Sequence, residues 1–557
     1  MTGYDKHLSS LKKEILNLFG LPRRILFLIS FLPSLLLWGN TSLEEVRFGS
    51  PSLILPALDG VVYQADRVSG VDMGSNKFSW VGRLQGNRAG FVSLGKVKEE
   101  ISLKLSLMNG ITYFYRGKLK DFVWAQKTKK PKPCGGCVLE NGLPRDPRSA
   151  QQPSLSWQNG DANLIDLLVV YPSAVTTDAG STAAIQADII ASVADTNFCY
   201  RNSKVNVQLR LVHMEEIVYT PTGLMSTDLD RLREKADGSM DGVHTIRDQY
   251  GADLVTLLTT DSDKGGLAST LNHVSLGFEA SAFSVNDWDQ IGAPSYTLAH
   301  EIGHNMGCLH NREDSDNDTS NYDFNAFCFG KRWIDGGVGY RTVMSYDTSP
   351  SSTYPTTIPY FSNPDVSYLG TTTGNAGTED NALVLRSTAP YVSNFRTSVV
   401  QGIVADNYDV QVDEGNYTTL GVRLAAQPTS SVSVTLALSG DGDILLGSSS
   451  TLSFDSTNWN LLQTVQVHAR PDSDTTADTA TLVLSATGIS SESVTISEVE
   501  TGASSNPDIF SGKPNIIATH GYNTHADAVT PRNAFDNSTI QKIVGTGAEP
   551  AETEDEG

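Results

Sequence analysis

No apolar run in this chain is long enough to cross a bilayer as a helix. The longest, ILFLISFLPSLLLW at 25–38, spans 14 residues, against roughly 20 for a membrane span. Lys12, Lys13, Arg23 and Arg24 precede it, and the small, polar GNTS follows. That build reads as a signal peptide over residues 1–42, so a secreted protein with no stable membrane span in its mature form is expected. Basic residues are scarce after residue 150. Residues 1–150 hold 22 Lys and Arg against 12 Asp and Glu, which leaves 19 against 51 for the remainder. Nucleic acid draws its affinity largely from Lys and Arg on phosphates, so this partner is excluded. Cysteine is rare and odd in number: Cys134, Cys137, Cys199, Cys308 and Cys328. In an exported chain pairs are expected, and pairing cannot use all five. Charged residues are only 19% against 39% apolar, a balance that excludes a disordered chain. There is no solenoid-type repeat.

At 557 residues the chain is sized for three or four domains. Residues 43–126 read as short strands with turn signals, as in KFSWVGRL, AGFVSLG and ITYFYRG. A linker rich in Pro, Gly and Lys follows, KTKKPKPCGGCVLENGLPRDPRSAQQPS, with the exposed character that proteases cut. From residue 163 apolar strands (LIDLLVVYP, VNVQLRLVHMEEIVY, ADLVTLLTT) alternate with helical segments (STAAIQADIIASVADTNFCY, TDLDRLREKADG). That order predicts a layered α/β domain on a mixed, largely parallel sheet with long helices. TLAHEIGHNMG follows as a helix ending at Gly307, and the chain reads as loop-rich from there to about 398. Residues 401–500 alternate strand signals with Gly, Ser and Asp turns, the pattern of an all-β, Ig-like sandwich. Residues 501–557 hold weak strand signals and end in the acidic AEPAETEDEG.

Histidine is also scarce, ten in all, yet three lie within residues 300–310. On a helix His300 and His304 share one face, close enough to bind one metal ion. Gly307 lets the chain turn so that His310 swings back as a third ligand. Three neutral imidazoles leave a fourth position open, the catalytic arrangement for zinc. Glu301 can reach a metal-bound water without binding the metal, which makes it a candidate general base and then acid. A solvated helix face that happens to carry histidines is the plainer reading. A bare H-E-x-x-H arises by chance in about one chain in a hundred of this length, and the added Gly307 and His310 cut that about a thousandfold. The acidic stretch NREDSDNDTSNYDFN makes calcium a second candidate ion, although it lacks EF-hand spacing and also reads as a solvated loop.

HEIGHNMGCLH resembles the extended zinc signature of the metzincin peptidases, H-E-x-x-H-x-x-G-x-x-H. YRTVMSYD at 340–347 is similar to their methionine turn, which implies that Met344 supports the zinc from below as a non-ligand. Tyr346 falls where astacin- and serralysin-like enzymes keep a tyrosine near the zinc, so it is a candidate transition-state donor. Within the clan the α/β run, HNMG and the segment 360–396 most resemble the bacterial adamalysin (reprolysin) branch. That resemblance implies a zinc endopeptidase domain at 161–398 acting on protein or peptide substrates, and substrate pairing along the strand at 265–270. One departure is Asn311, where adamalysins carry Asp; an amide lacks the charge for the same bonds to the methionine turn.

PKPCGG at 131–136 resembles the cysteine switch of adamalysin propeptides, which implies that Cys134 occupies the open zinc position in a latent form and that 43–160 is an inhibitory propeptide. Arg145 and Arg148 then offer cleavage sites. A local bridge or metal knuckle from Cys134 and Cys137 is the rival, and Cys137 is an alternative switch. Cys308 and Cys328 flank the third ligand and are placed to pair. The sandwich resembles modules appended to secreted bacterial hydrolases, and 501–557 resembles the start of a discoidin-type carbohydrate-binding module. Both suggest carbohydrate or cell-surface contact, although Trp459 reads as core packing before it reads as a ligand platform. A monomer is expected. The competing class is a secreted adhesion protein with a non-catalytic structural zinc.

Overall fold

Residues 40–126 form a single eight-stranded sheet whose central strands are buried on both faces. The computed structural model describes residues 40–86, 90–107, 111–126, 132–139, 163–314, 322–347, 355–472 and 476–500. The apolar leader at 25–38, Arg145, Arg148 and the tail at 501–557 lie outside the described residues. The sheet runs in chain order: β1 (Asn40–Ser42), β2 (Ser52–Ile54), β3 (Gln64–Ser69), β4 (Lys77–Leu84), β5 (Gly90–Val97), β6 (Glu100–Leu107), β7 (Thr112–Lys118) and β8 (Ala125–Gln126). Trp80, Leu94, Leu103 and Leu105 pack with Leu53 and Leu55 on one face. The opposite face carries Val81, Phe91, Ser102 and Lys104, and it too is covered.

What covers it is a helix of the next unit. This unit holds β9 (Cys134–Leu139), β10 (Asn163–Pro172), α1 (Ser173–Ala179), α2 (Thr182–Asn202), β11 (Val207–Ile217), α3 (Met225–Arg233), α4 (Gly242–Tyr250), β12 (Leu254–Thr259), β13 (Gly266–Thr270), β14 (Phe283–Asp287), α5 (Thr297–Asn305) and α6 (Asn381–Val392). The sheet order is β11-β10-β12-β14-β13-β9. β10 is parallel to β11 and β12, and β12 to β14, whereas β13 runs antiparallel to β14. Helix α2, capped by Ser181 Oγ accepting from the Ala184 N–H at 3.1 Å, is buried along almost its whole length. One side, with Ile185 and Ile189, lies on this sheet's core; the other meets β4 to β6, where Phe198 packs on Phe91 with centroids 4.9 Å apart. A helix buried all round needs small residues where two layers close on it, which accounts for its alanines.

The stretch read as loop after Gly307 contains a twelve-residue helix, α6. Its N-cap is Asp380, accepting from the Leu383 N–H at 2.9 Å, and Pro390 sits in its last turn. Proline near the end hides the helical period from a sequence reading. α6 matters to the site because Thr388 Oγ1 donates to the Met306 carbonyl at 2.9 Å, at the end of α5.

Residues 403–499 form a four-stranded and a five-stranded sheet enclosing Val422, Val434, Phe454, Val465, Leu482 and Ile496. Trp459 is partly buried against this core. The last strand of the unit also grips the first sheet. Asp72 and Ser491 exchange backbone bonds at 3.1 and 3.0 Å, and Ser493 Oγ bonds both the N–H and the carbonyl of Gly70 at 3.1 Å. Among the described residues no helix is long and apolar enough to cross a membrane.

The contact between β6 and α2 is ionic as well as apolar. Lys104 Nζ lies 3.2 Å from Asp195 and 3.5 Å from Asp188, Arg116 lies 2.8 Å from Asp188, and Ser102 Oγ donates to Asp188 at 2.6 Å. Lys104, Asp188 and Asp195 are all at most 3% exposed. Removing one member of a buried pair strands the other's charge, at a cost of about 3–5 kcal/mol. Asp188→Ala is therefore expected to loosen the first sheet from α2, measured as amide exchange in β4–β7 about a hundredfold faster or more. Unchanged exchange would mean that these charges do not hold the two units together.

Candidate metal centre

Helix α5 carries His300, Glu301 and His304 at the spacing that stacks the two imidazoles on one face. The helix ends at Asn305. Gly307 takes φ of +93°, a left-handed turn that a side chain would resist, and its N–H donates to the His304 carbonyl at 2.9 Å. The chain then doubles back, and residues 309–311 pair with 329–330. That return brings His310 over the helix. The Nε2 atoms stand 3.2 Å (His300–His304), 3.1 Å (His304–His310) and 3.1 Å (His300–His310) apart. Cys134 Sγ lies 3.8 Å from His304 Nε2, and the four ligand atoms are all within 4.8 Å of one another.

Does this set fit zinc? A tetrahedral ion with Zn–N of roughly 2.0–2.1 Å and Zn–S of roughly 2.3 Å needs nitrogens about 3.3 Å apart and sulfur about 3.6 Å from each nitrogen. The three nitrogen–nitrogen edges and the Cys134–His304 edge match that polyhedron within a few tenths of an ångström. The supporting shell matches as well. His300 Nδ1 meets the Val343 carbonyl and His304 Nδ1 the Cys308 carbonyl, each at 2.8 Å. A carbonyl accepts only from N–H, so both rings carry the proton on Nδ1 and turn a bare Nε2 inward. Burial, then the neighbouring His304, holds His300 well below the usual imidazole range. Burial and its two histidine neighbours do the same to His310, and burial pushes His304 down to about 4. Three neutral imidazoles result, the protonation state that metal binding requires.

The methionine turn braces this set from one side. Val343, which accepts from His300, is the residue before Met344. Met344 is fully buried, and a Cβ built on Gly303 would lie 2.4 Å from its sulfur, so α5 needs glycine there. The ring of Tyr346 stacks on His310 with centroids 3.8 Å apart. Asn311, the departure noted in the sequence, does bond the turn: its Oδ1 accepts from the Tyr346 N–H at 2.9 Å. Its amide donates to Glu313 and Asp314 at 2.9 and 3.1 Å, and Arg332 lies 2.7 Å from Asp314. These two acids of the proposed calcium stretch therefore face an arginine and an amide; residues 315–321 lie outside the described residues.

The expected Cys308–Cys328 pair is not formed. Cys308 is a thiol directed at the Asn381 carbonyl, 3.8 Å away. Backbone bonds hold this loop instead, with the Leu309 N–H donating to the Cys328 carbonyl at 2.7 Å and Asn381 Nδ2 to the same oxygen at 2.7 Å.

Glu301 is fully buried against the edge strand β13. A Cβ on Gly266 would come within 2.3 Å of its carboxylate, so the strand can pass only as glycine. Burial raises its pKa to about 8, and the adjacent Cys134 thiol pulls the value back in part. Cys134 reaches the histidines because β9 adds to the outer edge of β13 in the parallel sense, with Gly266 opposite Cys134 and Ala268 opposite Cys137. The Gly265 N–H donates to the Pro133 carbonyl at 2.9 Å. Lys132 anchors the segment: its ammonium lies 2.6 Å from Asp287 and 2.7 Å from the Ser262 carbonyl, and its N–H donates to Gln290 Oε1 at 2.8 Å. Sequence reasoning passed over Lys132, Asp287 and Gly266. The lysine's place two residues before Cys134 was the one local signal, and its acid partner is 155 residues away.

With this geometry in hand, comparison with known proteins is informative. Residues 162–379 match the model of the reprolysin-like metallo-peptidase family M12B. A protein of Stenotrophomonas maltophilia named peptidyl-Asp metalloendopeptidase is 36% identical over 239 residues, covering 43% of this chain and 54% of that one. Proteins of the same name from Xanthomonas campestris pv. campestris (36% over 255 residues, 46% and 56% covered) and Pseudomonas aeruginosa (30% over 258 residues, 43% and 41% covered) are also similar. The chain spans about half the length of the curated relatives it matches.

Metal analysis checks the centre directly. The purified chain is expected to carry one zinc, which His304→Ala loses and Met344→Leu keeps. A His304→Ala protein with unchanged zinc would place the ion elsewhere.

Proposed function

We propose that this chain, whose residues 162–379 form a reprolysin-like metallopeptidase domain, is a secreted zinc-dependent endopeptidase held latent by its own N-terminal segment. The observation that carries the reading is the set of three Nε2 atoms at 3.1–3.2 Å with the Glu301 carboxylate beside it. Zinc held by His300, His304 and His310 supplies a water of lowered pKa and an electrophile for a peptide carbonyl. Glu301 accepts the proton of the attacking water and passes it to the leaving amine. Its burial makes it a stronger base than a solvated glutamate, as that double task requires. Tyr346, stacked on His310, is the candidate donor to the developing oxyanion. Met344 packs below as support and binds nothing.

Substrate pairs along the outer edge of β13, which offers unpaired backbone groups once β9 leaves. In the latent form Cys134 fills the fourth metal position and Lys132 seats the segment on Asp287. Residues 1–42 export the chain, 43–160 are the inhibitory segment, and cleavage in the linker at Arg145 or Arg148 begins activation. The module at 401–500 acts as a spacer or surface-binding unit. The relatives' name suggests the substrate class: proteins cut beside an aspartate.

A second reading has one observation in its favour. Three histidines and a cysteine make a closed, four-ligand set, which is how structural zinc sites are built. Glu301 decides between them, since a structural site has no use for a buried carboxylate. After limited trypsin treatment the full chain is expected to degrade casein, and Glu301→Gln to keep its zinc while losing about a thousandfold in kcat/KM. Equal activity of the two proteins, or none in either, would favour the structural reading. Cys134→Ala is expected to be active without trypsin; a precursor that stays inert would remove the thiol from the account of latency.

A further inference from the structure

We infer that Arg341 selects the substrate, by pairing its guanidinium with a carboxylate side chain next to the scissile bond. The inference rests on the peptidase reading above and gives it a recognising group. Beside the metal centre is a small cavity whose lining includes Cys134, His300, Glu301, Arg341, Tyr346 and Asp347. Any peptide whose carbonyl reaches Glu301 and the three histidines must place a neighbouring side chain here.

Arg341 ends a short strand, Val338–Arg341, immediately before the methionine turn. Its backbone is fixed by the Ile358 N–H donating to its carbonyl at 2.9 Å. The guanidinium donates through Nη1 to the Ser345 carbonyl, and its Nε is buried with no hydrogen-bond partner. Among the described residues no carboxylate lies within ion-pair distance of it. The charge is real at neutral pH, since burial lowers its pKa only to about 10 and the more distant Asp347 opposes that fall.

A desolvated arginine with an unused donor is costly unless something pairs with it. The group that satisfies it best is a carboxylate, which takes two parallel N–H bonds from the planar fork. The amide isostere offers one acceptor oxygen and leaves the charge uncompensated, so discrimination should be large. Lys132 lines the same cavity in the latent form, but its ammonium is committed to Asp287. Asp347 shares the cavity wall but lies beyond ion-pair distance, so the latent segment leaves Arg341 without a direct carboxylate partner, a place that an acidic side chain of the substrate fits.

The test uses the full chain after trypsin activation and matched peptides carrying Asp or Asn at one position beside the cleaved bond. The wild-type protein is expected to prefer Asp by about a hundredfold in kcat/KM. Arg341→Gln should bring that ratio near one by losing Asp cleavage, while its zinc content and its turnover of Asn peptides stay as they were. Arg341→Lys, which keeps the charge but not the fork, should lower the ratio about tenfold, and it carries the test where the glutamine variant fails to fold. An unchanged ratio in either folded variant overturns the inference. A wild-type protein that cleaves peptides without preferring Asp overturns it too and leaves the peptidase reading standing. Cleavage of nothing at all defeats both.

Discussion

Three imidazole nitrogens held 3.1–3.2 Å apart, two of them with lone pairs fixed toward one point, crowd one another unless a cation sits between them. The fold has to impose that crowding, and much of the unit from 163 to 396 can be understood as the means. The Val343 and Cys308 carbonyls fix two tautomers. Gly307 supplies the reversal that returns His310, and the 309–311 strand secures it. Met344 fills the space under Gly303, and α6 ties off the end of α5 through Thr388. Asn311 joins the third ligand's strand to the methionine turn with a neutral bond, as an amide must. The neighbouring Glu313 and Asp314 accept from the amide, which orients its oxygen toward the Tyr346 N–H.

The same constraint explains why so much of the site is legible in the sequence. Ligands at i, i+4 and i+10 are local, and their spacing encodes the helix, the turn and the return strand within eleven residues. Cys134 is legible for another reason: a cysteine in a Pro-Lys-rich linker is chemically conspicuous. What escapes reading is set by contacts between distant segments. Nothing in the neighbourhood of Asp287 marks it as the seat of Lys132, and Arg341 is one basic residue among many until its cavity exists. Gly266 is unremarkable until Glu301 lies against it. The pairing of Cys308 with Cys328 fails because proximity in sequence to one ligand does not set the direction of two thiols; Cys308 turns to Asn381, a residue of the helix that was read as loop.

The edge of β13 links the metal centre to the rest of the chain. A strand that must pass a buried glutamate closely, as Gly266 does, lies within reach of the reacting groups, and its free edge can take one partner at a time. Here that partner is β9, parallel to it, bringing Cys134 to the histidines. The hold of the segment here is shared between a thiol, a short ladder and the Lys132–Asp287 pair. Partly exposed ion pairs of this kind contribute about 1 kcal/mol or less. A further part of the grip lies elsewhere.

It comes from the eight-stranded sheet on α2. An apolar seam of that extent would be hard to part, because every separated surface would meet water unfavourably. This seam mixes apolar contacts, such as Phe91 on Phe198 and Val97 with Ala187 and Ile190, with Lys104 and Arg116 set against Asp188 and Asp195. Buried charges are expensive to desolvate, so the assembled pairs return little net stability, yet they demand one register and regain their hydration when the surfaces part. For a segment proposed to block the site and then leave once its tether is cut, a mixed seam of this kind suits the task better than a wholly apolar one. The strand Ile489–Val499 adds the counterweight: it bonds Gly70 and Asp72 beside the end of α2, where Arg201 donates to both Val68 and Ser493, so release has to break backbone bonds as well as charges.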